Sequence, residues 1–141
     1  MKKLYLLDTN AVSEISKKAP SKSFIEKLSV NEERCAISST TWNELLYGMI
    51  ILPSGKKRQI LSAFLFDEVQ RKFEIIPYDD HAALIHADLR MRLKEAGTPV
   101  DYEDSEIASI AIANQLILVT NNAKHFEPIS KVDSVFRYES W

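Results

Sequence analysis

The stretch Leu4-Tyr5-Leu6-Leu7-Asp8-Thr9-Asn10 places a polar cluster directly after a short apolar run. The run has no polar alternation, which is typical of a β-strand that is covered on both faces. Similar runs recur along the chain, and a last strand is predicted near the carboxyl terminus. The predicted strands are Lys3–Leu7, Cys35–Ile37, Phe73–Ile76, Leu116–Val119 and Val135–Tyr138.

Segments with the apolar spacing of helices lie between these strands. The predicted helices are Ala11–Lys17, Ser21–Ser29, Trp42–Leu52, Lys56–Lys72, His81–Ala96 and Tyr102–Asn114. Alternation of strands and helices predicts right-handed crossovers between parallel strands. We therefore expect an α/β fold of three layers, with a mostly parallel central sheet and helices on both of its faces.

Composition and charge restrict the class of protein. The chain has 141 residues, 45% hydrophobic and 27% charged, as expected of one globular domain over residues 1–141. Its 18 Lys and Arg against 20 Asp and Glu give a net charge of −2, so nucleic-acid binding would need local patches or a bound cation. The single Cys35 and the lack of a membrane-length apolar segment predict a cytoplasmic protein with no membrane partner.

Two polar clusters follow predicted strands at their carboxyl ends. Asp8-Thr9-Asn10 follows the first strand, and Thr120-Asn121-Asn122 follows the strand Leu116–Val119. If these strands are neighbours, Asp8 and Asn122 face the crevice in which folds of this class hold ligands. The alternative is that these residues only cap helices or form turns, as Asp, Thr and Asn commonly do.

Glu44 is a third candidate, in the segment Thr41-Trp42-Asn43-Glu44-Leu45-Leu46-Tyr47-Gly48. A purely structural alternative is a capping box, in which Thr41 and Glu44 satisfy backbone donors at the start of a helix. Gly48 lies one turn further on, and a helical glycine costs roughly 1 kcal/mol relative to alanine. It therefore indicates that space is required beside Glu44.

Asp104 is a fourth candidate, in an acidic segment that runs into an apolar helix. It precedes Ile107, Ala108 and Ala111 by three, four and seven positions, which places a carboxylate on a largely buried helix face. Glu103 shares a stripe with Ile107 and Ile110, so spacing alone does not choose between Asp104 and Glu103.

Convergence of Asp8, Glu44 and Asp104 would require a cation. Two unit charges about 4 Å apart repel by about 4 kcal/mol at an effective dielectric constant of 20. Carboxylate and amide oxygens, without cysteine or histidine, favour Mg²⁺ or Mn²⁺ over zinc. The three histidines, His81, His86 and His125, are predicted to have surface or packing roles.

Taken together, these residues resemble the PIN-domain nucleases, and more narrowly the VapC toxins of VapBC toxin-antitoxin modules. The matching pieces run in order along nearly the whole chain. They are the strand before Asp8-Thr9-Asn10, Ser38 to Gly48 as S-x-x-T-x-x-E-L-x-x-G, Gly97-Thr98-Pro99, Asp104-x-x-Ile107-Ala108-x-x-Ala111, Val119-Thr120-Asn121-Asn122-x-x-His125-Phe126, and Trp141.

The resemblance implies a Mg²⁺ or Mn²⁺ site built from Asp8, Glu44 and Asp104, with Asn122 at the family's fourth position. Many family members have aspartate there, so the neutral amide of Asn122 puts a second ion in question. Thr120 resembles the family's hydroxyl that orients the site. The implied activity is metal-dependent hydrolysis of an RNA phosphodiester, with a VapB-like antitoxin and a second copy of the chain as partners.

Two surface features bear on these partners. Lys124 follows Asn122 and is the preferred candidate for a phosphate contact among the basic residues. The helix Trp42–Leu52 has apolar residues all round, which indicates either a central buried helix or a face covered by another chain. Two other functions stay open, a PIN module that binds RNA or protein without cutting and a small-molecule phosphohydrolase.

Overall fold

The computed structural model describes residues 1–141, with a five-stranded, wholly parallel sheet at its centre. The strands are β1 (Tyr5–Leu7), β2 (Cys35–Ser38), β3 (Glu74–Ile76), β4 (Ile117–Val119) and β5 (Tyr138–Glu139). Their spatial order is β3-β2-β1-β4-β5, so the chain extends from β1 to one side and then crosses to the other side with β4. The predicted parallel sheet is confirmed.

The last strand begins three residues later than predicted. Asp133 Oδ1 accepts hydrogen bonds from the backbone N–H groups of Val135 (2.8 Å) and Phe136 (3.0 Å). This turn occupies the donors that a strand over Val135–Tyr138 would need, so pairing with β4 begins only at Tyr138.

Helices cover both faces of the sheet. They are α1 (Thr9–Ile15), α2 (Lys22–Asn31), α3 (Ser39–Ile50), α4 (Lys56–Ala63), α5 (Gln70–Lys72), α6 (Asp80–Glu95), α7 (Tyr102–Ala113) and α8 (Ala123–Val132). A π-helical segment, Phe64–Val69, joins α4 to α5, so the predicted helix Lys56–Lys72 is one continuous helical segment. A short 3₁₀ turn, Glu32–Arg34, precedes β2. No helix combines the length and the apolar composition that crossing a membrane requires.

Helix α8 has no counterpart among the predicted helices. It contains Pro128, which lacks the N–H that an interior helical position donates. The helix forms because Phe126 and Ile129, three positions apart, are both fully buried against the sheet and the neighbouring helices. That burial outweighs the one missing hydrogen bond.

The core has two halves, one on each face of the sheet. Leu6 of β1 and Leu118 of β4 pack against α6, α7 and α8. Leu7 of β1 and Val119 of β4 point the other way and pack with α1, α2, α3 and the helical segment that runs from α4 into the π-helical turns. Each such buried leucine or valine contributes roughly 1.5–3 kcal/mol. The expected three-layer arrangement is confirmed, and it holds the carboxyl ends of β1 and β4 side by side.

One face of α3 is open to solvent. Tyr47, Ile50 and Ile51 are 65%, 55% and 61% exposed, although all three are large and apolar. Burial of this helix on every side within the chain, one of the two interpretations of its composition, is therefore wrong. The helix lies at the edge of its layer, with Met49 and neighbouring residues facing the core.

Candidate active site

The candidate site lies where β1 and β4 end next to each other. Leu7 pairs with Val119 in parallel register, and the backbone N–H of Asp8 donates to the carbonyl of Val119 at 3.0 Å. The prediction that these two strands are neighbours is confirmed. As a result, Asp8 and Thr120 follow directly from adjacent strands at the same edge of the sheet.

Asp8 is the most deeply buried carboxylate of the site, with 4% of its surface exposed. It is the N-cap of α1, and its Oδ1 accepts the backbone N–H of Ala11 at 2.8 Å. Burial raises the pKa of Asp8 to about 6, against the lowering effect of hydrogen bonds from the Thr120 hydroxyl and the Ala11 N–H. The charges of Asp104 and Glu44 raise it further. Asp8 therefore caps α1, and its ionised form is destabilised by burial.

Glu44 extends from α3 toward the start of α1. The hydroxyl of Thr9 donates to Glu44 Oε1 at 2.7 Å and lies 3.3 Å from the hydroxyl of Thr41. Burial raises the pKa of Glu44, the Thr9 hydrogen bond opposes that rise, and the charge of Asp104 adds to it. Thr9 follows Asp8 in sequence, so one short segment holds two of the three predicted carboxylates in place.

The capping-box interpretation of Glu44 is wrong. Helix α3 begins earlier than predicted, and its N-cap is Ser38, whose hydroxyl accepts the backbone N–H of Thr41 at 3.0 Å. Thr41 is therefore an interior helical residue, and Glu44 has no donor of the first turn to cap. A Cβ added to Gly48 would meet no atom within 4 Å, so contacts within the chain do not explain the predicted requirement for glycine at this position.

Asp104 lies in the first turn of α7, with 22% of its side chain exposed. Its Oδ2 lies 3.3 Å from Nδ1 of His125 on α8. Burial raises the pKa of Asp104, His125 lowers it, and the charge of Asp101 raises it again. Glu103 is exposed and lies nearer to the solvent side of the helix. Between the two acids, Asp104 is the one that is partly withdrawn from water beside α8.

Thr120 and Asn122 line the loop that follows β4. Thr120 is fully buried, and its hydroxyl accepts the backbone N–H of Asn122 at 2.9 Å while it hydrogen bonds to Asp8. The side-chain amide of Asn122 lies 3.2–3.3 Å from the ring nitrogens of His125. The loop therefore connects Asp8 to the His125–Asp104 pair. Lys124 is exposed in the first turn of α8 and forms no ion pair.

Two residues of the site have roles that sequence reasoning did not give them. The sequence places Thr9 in a polar cluster without indicating a partner for it, and it predicts a surface or packing role for His125. Its position three residues after Asn122 was a usable signal, since residues three apart share a face once α8 forms. For Thr9 the sequence held no comparable signal, because its partner Glu44 is 35 residues away.

A cleft of about 600 Å³ opens beside Glu44. It is lined by Ser39, Thr40, Asn43, Glu44, Tyr47, Tyr102, Glu103 and Glu106. Glu106 accepts a short hydrogen bond from the hydroxyl of Thr40, and this bond links α3 to α7 within the lining of the cleft. We refer to it as the acidic cleft, because three carboxylates line it and no Lys or Arg does.

The donor set of the site suits a hard divalent cation. Asp8, Glu44 and Asp104 offer only oxygen, and the raised pKa of each carboxyl group is the response expected of carboxylates withdrawn from water near one another. As placed, the side chains do not form a group of three that could hold one ion. The chemistry of the residues therefore fits Mg²⁺ or Mn²⁺, while Glu44 is held by Thr9 instead.

Comparisons with known proteins identify relatives of this chain in sequence and in structure. The chain is 33% identical over 138 residues to the tRNA(fMet)-specific endonuclease VapC of Salmonella typhimurium, covering 97% of each chain. It is 31% identical over 126 residues to the toxin FitB of Neisseria gonorrhoeae, covering 87% of this chain and 91% of that protein. The crystal structure of DNA-bound VapBC from Salmonella typhimurium matches with a TM-score of 0.83 and 30% identity, over 100% of this chain and 99% of the other.

The matched region includes every candidate site residue. The sequence profile of the PIN domain fits residues 5–132, from the start of β1 to the end of α8. Together with relatives that align over almost the full length, this match shows that the chain belongs to the PIN domain family.

Proposed function

We propose that this protein is a divalent-metal-dependent endoribonuclease that acts as the toxin of a type II toxin-antitoxin module. The observation that carries the proposal is that burial raises the pKa of Asp8, Glu44 and Asp104, with the charges of Glu44 and Asp104 also acting on Asp8 at the carboxyl edge of the sheet. Groups with perturbed pKa values in a cleft are candidates for function. The names of the relatives support a ribonuclease: one is a tRNA(fMet)-specific endonuclease and another is a toxin.

Asp8, Glu44 and Asp104 would hold Mg²⁺ or Mn²⁺, and Asn122 would orient water or substrate through its amide. When bound, the ion supplies a water of lowered pKa and neutralises charge on the attacked phosphate. The neutral Asn122 favours a single ion, since it lacks the fourth negative charge that a second divalent ion would need. RNA as substrate and one reduced cysteine fit action in the cytoplasm.

The residues around these ligands hold them in place. The Thr120 hydroxyl and the Ala11 N–H fix the carboxylate of Asp8, and both favour its charged form. His125 does the same for Asp104. Thr9 holds Glu44 next to the acidic cleft until a cation competes for its oxygen. Each acidic ligand thus has a partner that orients it.

The test is RNA cleavage by the purified chain, freed of any antitoxin, in Mg²⁺ or Mn²⁺ and in EDTA. Asp8→Asn and Asp104→Asn should each lower the rate at least about a hundredfold, because a metal ion supplies several kcal/mol of charge stabilisation. Asp67→Asn is the matched control, since it removes an exposed carboxylate from the π-helical segment Phe64–Val69, which carries none of the proposed ligands, and it should keep full activity.

Metal binding needs a readout separate from activity. Mn²⁺ at a hundred times its Kd should raise the free energy of unfolding of the wild type by about 2.7 kcal/mol, and this gain should vanish in Asp8→Asn. Metal binding without cleavage of any RNA would favour the noncatalytic PIN module. Hydrolysis of a phosphomonoester such as p-nitrophenyl phosphate, with RNA untouched, would favour the phosphohydrolase.

The partners form a separate part of the proposal. The matching crystal structure from Salmonella typhimurium is a VapBC complex, which supports a VapB-like antitoxin for this chain. The exposed apolar residues Tyr47 and Ile50 of α3, together with Ile51 directly after it, support a homodimer, because three large apolar side chains in one patch are costly to leave in water. Light scattering should give the mass of a dimer for the wild type and of a monomer for Ile50→Asp/Ile51→Asp. A monomeric wild type would contradict the dimer.

A further inference from the structure

A second pocket adjoins the acidic cleft and has the opposite charge. Its volume is about 410 Å³, and it lies between α6, α7 and the loop that joins them. Arg90 and Lys94 line it, and no carboxylate does, whereas the acidic cleft is lined by three carboxylates and no Lys or Arg. Tyr102 belongs to both linings. One aromatic ring therefore separates a pocket suited to cations from a pocket suited to anions.

The two cations of this pocket are available for a ligand. Arg90 and Lys94 are four residues apart on α6, so they share one helix face, and both are exposed. Neither forms an ion pair, in contrast to Arg92 between them, which is bound to Asp88 at 2.9 Å. The guanidinium of Arg90 lies over the ring of Tyr102, 5.0 Å from its centre. This contact orders the guanidinium while leaving its N–H donors free for a phosphate.

Tyr102 keeps exposed ring surface beside the Arg90 guanidinium, and a base can pack against that surface. It is 51% exposed although it stands at the start of α7, and its inner side is supported by the buried ring of His86 at 4.9 Å. The loop Gly97-Thr98-Pro99 lines the same pocket, and Gly97 in it adopts a φ of +67° that other residues rarely reach. The pocket therefore combines an exposed aromatic ring with a loop whose backbone conformation is restricted.

We propose that this pocket is a subsite for the nucleotide next to the cleaved bond in single-stranded RNA. A base would stack on Tyr102, and the adjoining phosphate would bind Arg90 and Lys94. The proposal rests on the proposed ribonuclease activity, because only a strand that continues from the acidic cleft has to pass Tyr102 on its way. Stacking on an aromatic ring beside a cationic groove is the usual manner in which proteins hold single strands.

The experiment measures binding in EDTA, where metal-dependent cleavage is stopped. The probe is a short fluorescein-labelled single-stranded RNA of mixed sequence, followed by fluorescence anisotropy. Tyr102→Ala should weaken binding roughly tenfold, whereas Tyr102→Phe, which keeps the ring, should stay within about twofold of the wild type. Thermal unfolding of each variant separates lost binding from lost structure.

The cations are tested with a charge-matched control. Arg90→Ala/Lys94→Ala should weaken binding roughly tenfold at low salt and reduce the slope of log Kd against log salt by about 1. Lys22→Ala/Lys27→Ala removes the same charge from exposed sites on α2 and should change binding by less than about twofold. Both double variants change only exposed side chains, so both should fold.

The outcomes distinguish the subsite from the activity on which it rests. If wild-type protein cleaves RNA with Mg²⁺ but the Tyr102 and Arg90/Lys94 variants bind RNA like the Lys22/Lys27 control, the subsite is wrong and the ribonuclease proposal stands. If wild-type protein neither binds nor cleaves RNA, both proposals fail. If polyglutamate binds the pocket and loses affinity in the same variants while RNA does not, the pocket is a site for acidic peptides and the nucleotide assignment is overturned.

Discussion

Two partly buried polar clusters in this molecule have similar hydrogen bonding and opposite energetic consequences. The first is the acidic site of Asp8, Glu44 and Asp104. The second, here the histidine cluster, consists of Tyr78, His86 and Ser105 and links α6 to α7. No buried side-chain polar atom of either cluster lacks a hydrogen-bond partner. The difference between them is therefore one of charge.

The histidine cluster is complete with every member neutral. The Ser105 hydroxyl donates to the carbonyl of Tyr102 at 2.9 Å, so its oxygen must accept from His86 Nε2 at 2.8 Å. That assignment leaves His86 Nδ1 as an acceptor for the Tyr78 hydroxyl, also at 2.8 Å. Burial lowers the pKa of His86, which keeps the ring neutral near pH 7. The cluster therefore stabilises the fold without any buried charge.

The acidic site cannot be satisfied in the same way. Burial raises the pKa of all three carboxyl groups, and nearby carboxylates raise each pKa further: Asp104 and Glu44 act on Asp8, Asp104 acts on Glu44, and Asp101 acts on Asp104. Satisfied hydrogen bonds therefore do not by themselves make a polar cluster stabilising. Hydrogen bonds between neutral groups stabilise the fold, whereas carboxylates that are withdrawn from water near one another lower its stability when they are ionised.

The largest expected change in stability comes from removing the centre of the histidine cluster. His86→Ala deletes two hydrogen bonds and a ring that is 1% exposed, so the free energy of unfolding should fall by about 3 kcal/mol. His81→Ala, at an exposed position near the start of the same helix, should change it by less than about 0.5 kcal/mol. Urea unfolding measures both. A loss as small as that of His81→Ala would mean that the cluster contributes nothing to stability.

The acidic site should respond to substitution with the opposite sign. Asp8→Asn keeps a side chain that can cap α1 but removes the buried charge. Because burial and neighbouring charges raise the pKa of Asp8 from 3.8 to about 6, the metal-free variant should be more stable than the wild type at pH 7 by about 1–3 kcal/mol. Unfolding in EDTA measures the gain. A loss of stability would show that the charge is well accommodated, and the contrast between the clusters would disappear.

The sheet and most helices were predictable because they depend on local patterns. Unbroken apolar runs predicted four strands within two residues of their observed ends, and the carboxyl edge of β1 and β4 followed from parallel pairing. The fifth strand was misplaced because one side chain, Asp133, diverts the backbone just before it. Helix α8 was missed because its stability comes from the burial of Phe126 and Ile129, which is a tertiary effect.

The candidate site was only partly predictable for the same reason. Asp8 and Thr120 follow adjacent strands, so topology alone brought them together. The choice of Asp104 over Glu103 came from the family resemblance, since spacing left both open. The hydrogen bond between Thr9 and Glu44 and the contact between His125 and Asp104 join residues 35 and 21 positions apart, and no local pattern carries such information.

The free energy of unfolding should depend on pH through the raised pKa of Asp8 in the acidic site. Between pH 3.8 and about 6, folded protein keeps a proton on Asp8 that the unfolded chain has already released. The contribution of Asp8 to stability is therefore complete below pH 3.8 and is lost as the pH rises through about 6. Subtracting the unfolding curve of Asp8→Asn in EDTA at each pH isolates this part, which should amount to about 1–2 kcal/mol between pH 4.5 and 7. Parallel pH profiles for the two proteins would contradict the raised pKa.

The smallest effects come from removing one hydroxyl donor in each cluster. Tyr78→Phe leaves His86 Nδ1 without its donor, so stability should fall by about 1 kcal/mol while RNA cleavage stays within about twofold.

Thr9→Val removes the donor to Glu44 Oε1 and keeps the shape of the side chain. Since that hydrogen bond lowers the pKa of Glu44, its loss should raise the pKa further. The defect in cleavage by Thr9→Val, relative to the wild type, should therefore be larger at pH 6 than at pH 8. A defect of equal size at both pH values would show that Thr9 acts only through the position of Glu44 and not through its charge.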